Sequence, residues 1–177
     1  VSANQYLEYV YTLRPDEYFI DMTVRSVGLS SVLNTSNAPQ LTWKLKARRM
    51  EKSVTYENRY TQSAIRYADD KINRMSQGGN SGTKEEQVSW VAYKQHLFTS
   101  VLISDSAFAN GDFLSYNIAN EESKDVKYTK NLKSTFPLKT KGGELSESLH
   151  FYFGPSDYNV LKQYNDKYEL TELIPLG

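Results

Sequence analysis

Residues 146–165 read SESLHFYFGPSDYNVLKQYN. Leu149, Phe151 and Phe153 alternate with His150 and Tyr152 up to Gly154-Pro155, a strand pattern. Proline cannot continue a strand interior, and it restricts the residue before it. Beyond it the spacing changes. Tyr158, Leu161 and Lys162 share one helical face, with Val160 and Tyr164 beside it. Ser156 is placed to cap that helix through its hydroxyl. The fourth capping-box position holds Asn159 rather than Glu or Gln. The stretch therefore predicts a β-rich body that ends here in a short helical segment.

The same alternation runs through most of the chain. In QYLEYVYTLR, Leu7, Tyr9, Tyr11 and Leu13 fall opposite Glu8, Thr12 and Arg14, with Val10 the exception. A Pro15-Asp16 turn signal leads to Ile20, Met22 and Val24, opposite Asp21, Thr23 and Arg25. These two segments predict a hairpin of half-buried strands. QLTWKLKAR repeats the pattern, with Leu41, Trp43 and Leu45 opposite Thr42, Lys44 and Lys46. Residues 50–62 read as a helical turn or a loop, and SAIRYADDKINRMS as short strands. QGGNSGTKEE reads as a hairpin loop. QVSWVAYKQHLFTSVLIS, rich in β-branched and aromatic residues, reads as one long strand bent near Lys94-Gln95. DFLSYNIANEE and DVKYTKNLKSTFPLKT continue as strands. The expectation is an antiparallel β-sandwich of eight to ten strands over residues 1–155, followed by a helical segment over 156–177.

Composition narrows the function classes. The 177 residues carry 21 Lys+Arg and 21 Asp+Glu, so no net charge argues for nucleic acid. Cysteine is absent, which removes disulfides, thiol catalysis and Cys-ligated zinc. No apolar run approaches the ~20 residues of a membrane helix. No signal-peptide pattern opens the chain. A start at Val1 and an end at ELIPLG read as a piece of a longer protein.

Catalytic signatures are scarce. His96 and His150 lie 54 positions apart and read as histidines on separate strands, not as a metal pair. Asp69-Asp70, Glu85-Glu86 and Glu121-Glu122 read as solvated turn charges rather than a glycosidase pair. No P-loop, GxGxxG, GxSxG or HExxH occurs. KARRME, from Lys46 to Glu51, is a small basic cluster, read as a strand end kept soluble or as a partner contact. Trp43 and Trp90 read as core residues, although exposed aromatics would suit a sugar-binding face.

Three stretches carry a resemblance. A strand ending in FYFGP, then DYNVLKQY, then an L-x-x-L-x-x-LG close from Leu170 to Gly177, resembles the end of the large periplasmic domain of the YidC family of membrane protein insertases. VSWVAYKQHLFTSVLISD is similar to that family's Trp-containing strand. EKSVTYENRYTQSAIRYADDK and the opening hairpin agree in order. The resemblance implies the later part of a mutarotase-like β-supersandwich, on the periplasmic side of the inner membrane of a Gram-negative bacterium. It implies a non-enzymatic scaffold or docking domain, without a cofactor. Its parent would insert and fold inner-membrane proteins, alone or with the Sec translocon. Partners would be Sec accessory subunits and nascent membrane proteins. Tyr158, Leu161, Tyr164, Leu170, Leu173 and Ile174 would couple the β-domain to the membrane part. The alternative is a carbohydrate-binding or carbohydrate-active β-sandwich.

Overall fold

A computed structural model describes residues 2–33, 36–75, 79–123 and 125–174. Ten strands form among them. In chain order these are β1 (Tyr6–Leu13), β2 (Phe19–Val27), β3 (Gln40–Arg48), β4 (Gln62–Tyr67) and β5 (Lys71–Arg74), then β6 (Ser81–Lys94), β7 (Phe98–Asn117), β8 (Tyr128–Pro137), β9 (Thr140–Lys141) and β10 (Glu144–Pro155). Helix α1 spans Val54–Tyr60. After β10 come α2 (Tyr158–Lys162), α3 (Asn165–Tyr168) and a 3₁₀ turn, Leu170–Leu173.

All strand pairs are antiparallel, in the order β1-β2-β10-β7-β6-β4-β5, with β8 added to the far half of β7 and β3 to β8. The long hairpin β6–β7 belongs to both layers. Its first half pairs β7 with β10 through Phe98–Ser104, and its second pairs β7 with β8 through Asp112–Asn117. The switch falls at a wide bulge. Val88 faces Phe108 and Trp90 faces Ile103, so one residue of β6 lies opposite four of β7. Gln87 (φ 52°) and Ala107 (φ 57°) take the left-handed backbone this bend requires.

Folding the sheet on itself buries one core between the layers. Met22, Val24, Ile65, Val91, Tyr93, Leu102, Phe113, Leu132, Phe136 and Leu149 fill it, with Trp43 stacked on Tyr93 at 4.0 Å. The sandwich expected from the alternation is therefore formed. The β9–β10 turn shows the local logic. Gly142 (φ 59°) and Gly143 (φ 79°) supply the two positive φ angles of a tight hairpin.

Several expectations need correction. The segment 87–104 is not one bent strand but two strands meeting at a three-residue turn, Gln95-His96-Leu97, with Gln95 N–H donating to the Phe98 carbonyl at 2.8 Å. His96 therefore lies in a turn. The β1–β2 hairpin forms, but β1 is not half-buried: Leu7, Tyr9, Tyr11 and Leu13 are all exposed. β1 lies at the sheet margin, and none of its side chains joins either core among the described residues. Of QGGNSGTKEE, residues 77 and 78 lie outside the described residues, while Ser81–Glu86 is strand rather than loop.

Candidate functional site: the C-terminal segment on the outer sheet face

The turn from β10 into the helical segment is set by Gly154. The Tyr152 ring folds back over this position, and its hydroxyl donates to the Pro155 carbonyl at 2.8 Å. A Cβ on residue 154 would meet Tyr152 Oη at 2.6 Å and Tyr18 Cγ at 2.9 Å. Glycine is there because two tyrosines occupy the space.

The helix cap is Asp157, not Ser156. Asp157 Oδ1 accepts from the Asn159 N–H at 2.9 Å and the Val160 N–H at 3.1 Å. Ser156 instead ties the segment to the β6–β7 turn, its N–H donating to the Leu97 carbonyl at 2.8 Å. The segment is a compact run of three single turns rather than one helix. Glu169 (φ 54°, ψ 42°) reverses the chain between α3 and the 3₁₀ turn. Asn165 Oδ1 braces that reversal, accepting from Thr171 N–H at 3.1 Å and Thr171 Oγ1 at 2.6 Å.

A second core lies beneath it, on the face of the sheet opposite the first. Leu161, Leu170 and Leu173 are fully buried against Trp90, Ala92, Val101, Ile103 and Tyr152. Phe19 joins them and stacks on Tyr164 at 4.4 Å and on Tyr168 at 5.6 Å. Ile174 packs at the margin. Tyr158 does not join this core; it is 37% exposed. Three leucines buried from one short segment are worth roughly 2 kcal/mol each before the entropy of ordering is subtracted.

Polar bonds fasten the segment's later half. Trp90 Nε1 donates to the Tyr168 carbonyl at 2.8 Å, Lys94 Nζ to the Leu173 carbonyl at 2.8 Å, and Arg74 Nη2 to the Glu172 carbonyl at 2.6 Å. Arg66 pairs with Glu169. These donors reach carbonyls that short helical turns leave without partners. Burial, with Arg74 nearby, holds the Lys94 ammonium below its ordinary value.

A charged cluster lines the rim. His150 Nδ1 lies 2.6 Å from Asp21 Oδ1, and Nε2 lies 2.8 Å from Asp105 Oδ2. Arg14 binds Asp21 through Nε at 3.0 Å and Nη2 at 2.9 Å, and Lys167 stands 3.6 Å from Asp105. Burial pushes both carboxyls upward. Bonds from Arg14 and His150 outweigh it at Asp21, and those from His150 with the Lys167 charge do so at Asp105, so both titrate below the ordinary carboxylate range.

The two carboxylates hold opposite ring nitrogens of His150, so they do not converge on one ion. No metal-holding group of three or more such side chains exists among the described residues. His96 pairs with Glu51 at 2.9 Å and packs on Tyr60. Among the described residues, both histidines bond to carboxylates. Beside the cluster, the β6–β7 bulge opens a cleft of about 390 Å³, lined by Arg66, Asp69, Trp90, Asp105, Lys167 and Tyr168.

Trp90 is core, as its pattern predicted, and Trp43 is partly buried by Tyr93. Of the paired acids, Glu85 lies on β6 and accepts from Asn73 at 2.7 Å. Glu121 is more than a solvated turn charge. It accepts from Ser53 Oγ and from Thr55 N–H at 2.7 Å at the start of α1, and these bonds hold its pKa down to about 2. Sequence spacing gave no signal for this contact, which spans 66 positions.

The sequence model of the YidC periplasmic domain matches residues 2–177. The membrane protein insertase YidC of Porphyromonas gingivalis is 35% identical over 188 aligned residues, covering 100% of this chain and 29% of the relative. That of Bacteroides fragilis is 31% identical, covering 99% and 29%, and that of Amoebophilus asiaticus is 25% identical, covering 99% and 29%. The chain thus spans under a third of the length of these relatives.

Proposed function

This chain belongs to the YidC periplasmic domain family, and from that premise we propose that it is a non-enzymatic scaffold and docking domain of a membrane protein insertase. Its relatives carry the name insertase and no name of an enzyme. In this reading the parent inserts and folds inner-membrane proteins, alone or with the Sec translocon, whose accessory subunits and nascent membrane proteins are its partners. Residues 1–155 form the docking body, and residues 156–177 couple it to the membrane part.

One observation carries the coupling role. The segment after β10 is not a loose tail: Leu161, Leu170 and Leu173 are buried in the second core, and four donors grip its carbonyls and Glu169. A segment held at that many points fixes the orientation of the sandwich relative to whatever follows it. Ile174 and Tyr164 extend the same contact, and Tyr158 faces outward beside the β6–β7 turn.

The test uses the full-length protein in cells depleted of their own insertase. Arg66→Ala with Arg74→Ala loosens the segment while leaving its leucines. Membrane insertion of a dependent substrate is expected to fall several-fold, with normal protein level. Unchanged insertion after the segment is shown to be loosened overturns the coupling role.

The match to the insertase family over residues 2–177 supports the docking reading over the sugar-binding alternative.

A further inference from the structure

We propose that the end of the domain around the β6–β7 turn rests on the phospholipid surface, with Leu97 and Phe98 entering the headgroup layer. The proposal rests on the insertase reading, which puts a membrane next to the domain.

Apolar side chains are concentrated at this turn. Leu97 is 59% exposed and Phe98 55%. On one side Phe98, Tyr18, Phe153 and Pro155 line an open apolar cleft of about 380 Å³. On the other, Tyr56 and Tyr60 of α1, both exposed, pack around His96 at 5.6 and 4.8 Å. Tyr158 is exposed two residues beyond the Ser156 N–H that binds Leu97. Exposed apolar side chains gathered around one turn are what a docking site presents. Tyrosines with Phe and Leu are the side chains that settle at a membrane interface.

Charge fits the same surface. Gln95 Nε2 donates to the Arg48 carbonyl at 3.1 Å, which brings the end of the Lys46–Glu51 basic cluster, with Lys52 just beyond it, beside the turn. Arg48, Lys52 and Arg59 are exposed there. The acids of this segment are already engaged. Glu57 is buried and accepts from Met50 and Glu51 N–H at 2.8 and 2.7 Å, and Glu51 holds His96. Near Tyr18, Glu17 pairs with Arg14 at 3.6 Å beside Asp16, and Asp157 is committed to its cap. The α1 side therefore carries Arg48, Arg49, Lys52 and Arg59 against the carboxylates of Glu51, Glu57 and Glu121, a small excess of cations beside an apolar tip, the combination that anionic headgroups attract.

The position of the chain agrees. Leu173 is bonded to Lys94, three residues before Leu97, so the last described residues lie at this same end of the sandwich.

The test is co-sedimentation of the 177-residue chain with vesicles of phosphatidylethanolamine and phosphatidylglycerol. The chain should bind, and added salt should weaken binding. Leu97→Ser with Phe98→Ser should lower partitioning about tenfold or more, and Arg48→Gln with Arg59→Gln about threefold. All four side chains are exposed, so melting temperatures should stay unchanged. As a second readout, Phe98→Trp should be quenched by lipids brominated in the upper acyl chain more strongly than the wild-type chain, whose Trp90 is buried and whose Trp43 is partly buried against Tyr93.

No vesicle binding, or binding that the Leu97/Phe98 variant leaves intact, overturns the proposal. So does self-association of the wild-type chain that this variant abolishes, since the face would then belong to a second copy. Vesicle binding needs no insertase activity. It can therefore fail while the scaffold role holds, and can succeed if that role fails.

Discussion

Trp90 and Tyr168, 78 positions apart, are joined by a hydrogen bond from the indole Nε1 to the Tyr168 carbonyl at 2.8 Å. The bond ties the middle of β6 to the last described stretch of chain, and it sits over a fully buried indole. Trp90→Phe would leave that carbonyl without its donor and open space in the second core. The expected loss is about 2–4 kcal/mol in urea unfolding. A loss within error of zero would mean the segment contributes little to the fold.

Gly154→Ala should be disproportionately costly for so small a change. The added methyl would meet the Tyr152 hydroxyl and the Tyr18 ring, for about 1–3 kcal/mol of overpacking. Tyr152→Phe removes the Oη atom and should recover part of that loss. A double-mutant cycle with no coupling between the two positions would contradict the packing account.

The rim cluster predicts the acid limb of stability. Asp21 and Asp105 titrate below their unfolded values, held there against burial by the Arg14 and His150 bonds. Their contribution is therefore complete above roughly pH 4 and is lost as pH falls through the lowered values. His150→Gln removes a partner shared by both. Chemical unfolding between pH 6 and pH 2, expressed as roughly paired points with wild type, should show a shallower acid slope in the variant. Identical slopes would assign acid sensitivity elsewhere.

Lys130 gives the opposite sign at the alkaline end. Its ammonium is buried beneath α1 and donates to the Asn58 and Thr61 carbonyls, each at 2.7 Å, and burial pushes its pKa down to about 8. Between about 8 and its unfolded value the unfolded chain holds the extra proton, so this residue adds stability as pH rises. In Lys130→Met that rise should shrink to the part that Lys94 supplies, since its ammonium is also held below the ordinary value, as followed by thermal melts from pH 7.5 to about 9.5, below ordinary tyrosine titration. An undiminished rise would place its source in another group.

Strand number, antiparallel pairing and the change of pattern at Pro155 were legible because alternation and turn chemistry are local. The β6–β7 turn was not. Gln95, His96 and Leu97 carry none of the usual turn residues, and Trp90 to Tyr93 are buried on both faces, so the alternation that separates strands is missing. The exposure of β1 escaped for a different reason. Alternation says which residues share a face, but not whether another layer covers it. At the cap, two competent side chains stand adjacent, and only the backbone decides for Asp157 over Ser156. The six residues proposed for coupling came from resemblance. Five of them lie in or against the second core, but Leu161, Leu170 and Leu173 look in sequence like any apolar helix face.

Amide hydrogen exchange of the whole chain under native conditions tests most directly whether the C-terminal segment is locked to the sandwich. If the segment is locked to the sandwich, the amides of Leu161, Tyr168 and Ile174, which bond to Asp157, Tyr164 and Thr171, exchange at rates approaching those of β10. They should also lose protection together in Trp90→Phe. Exchange at the rate of a frayed terminus, while β10 remains protected, would show a tail that opens independently and would contradict a rigid coupling between this domain and the rest of its protein.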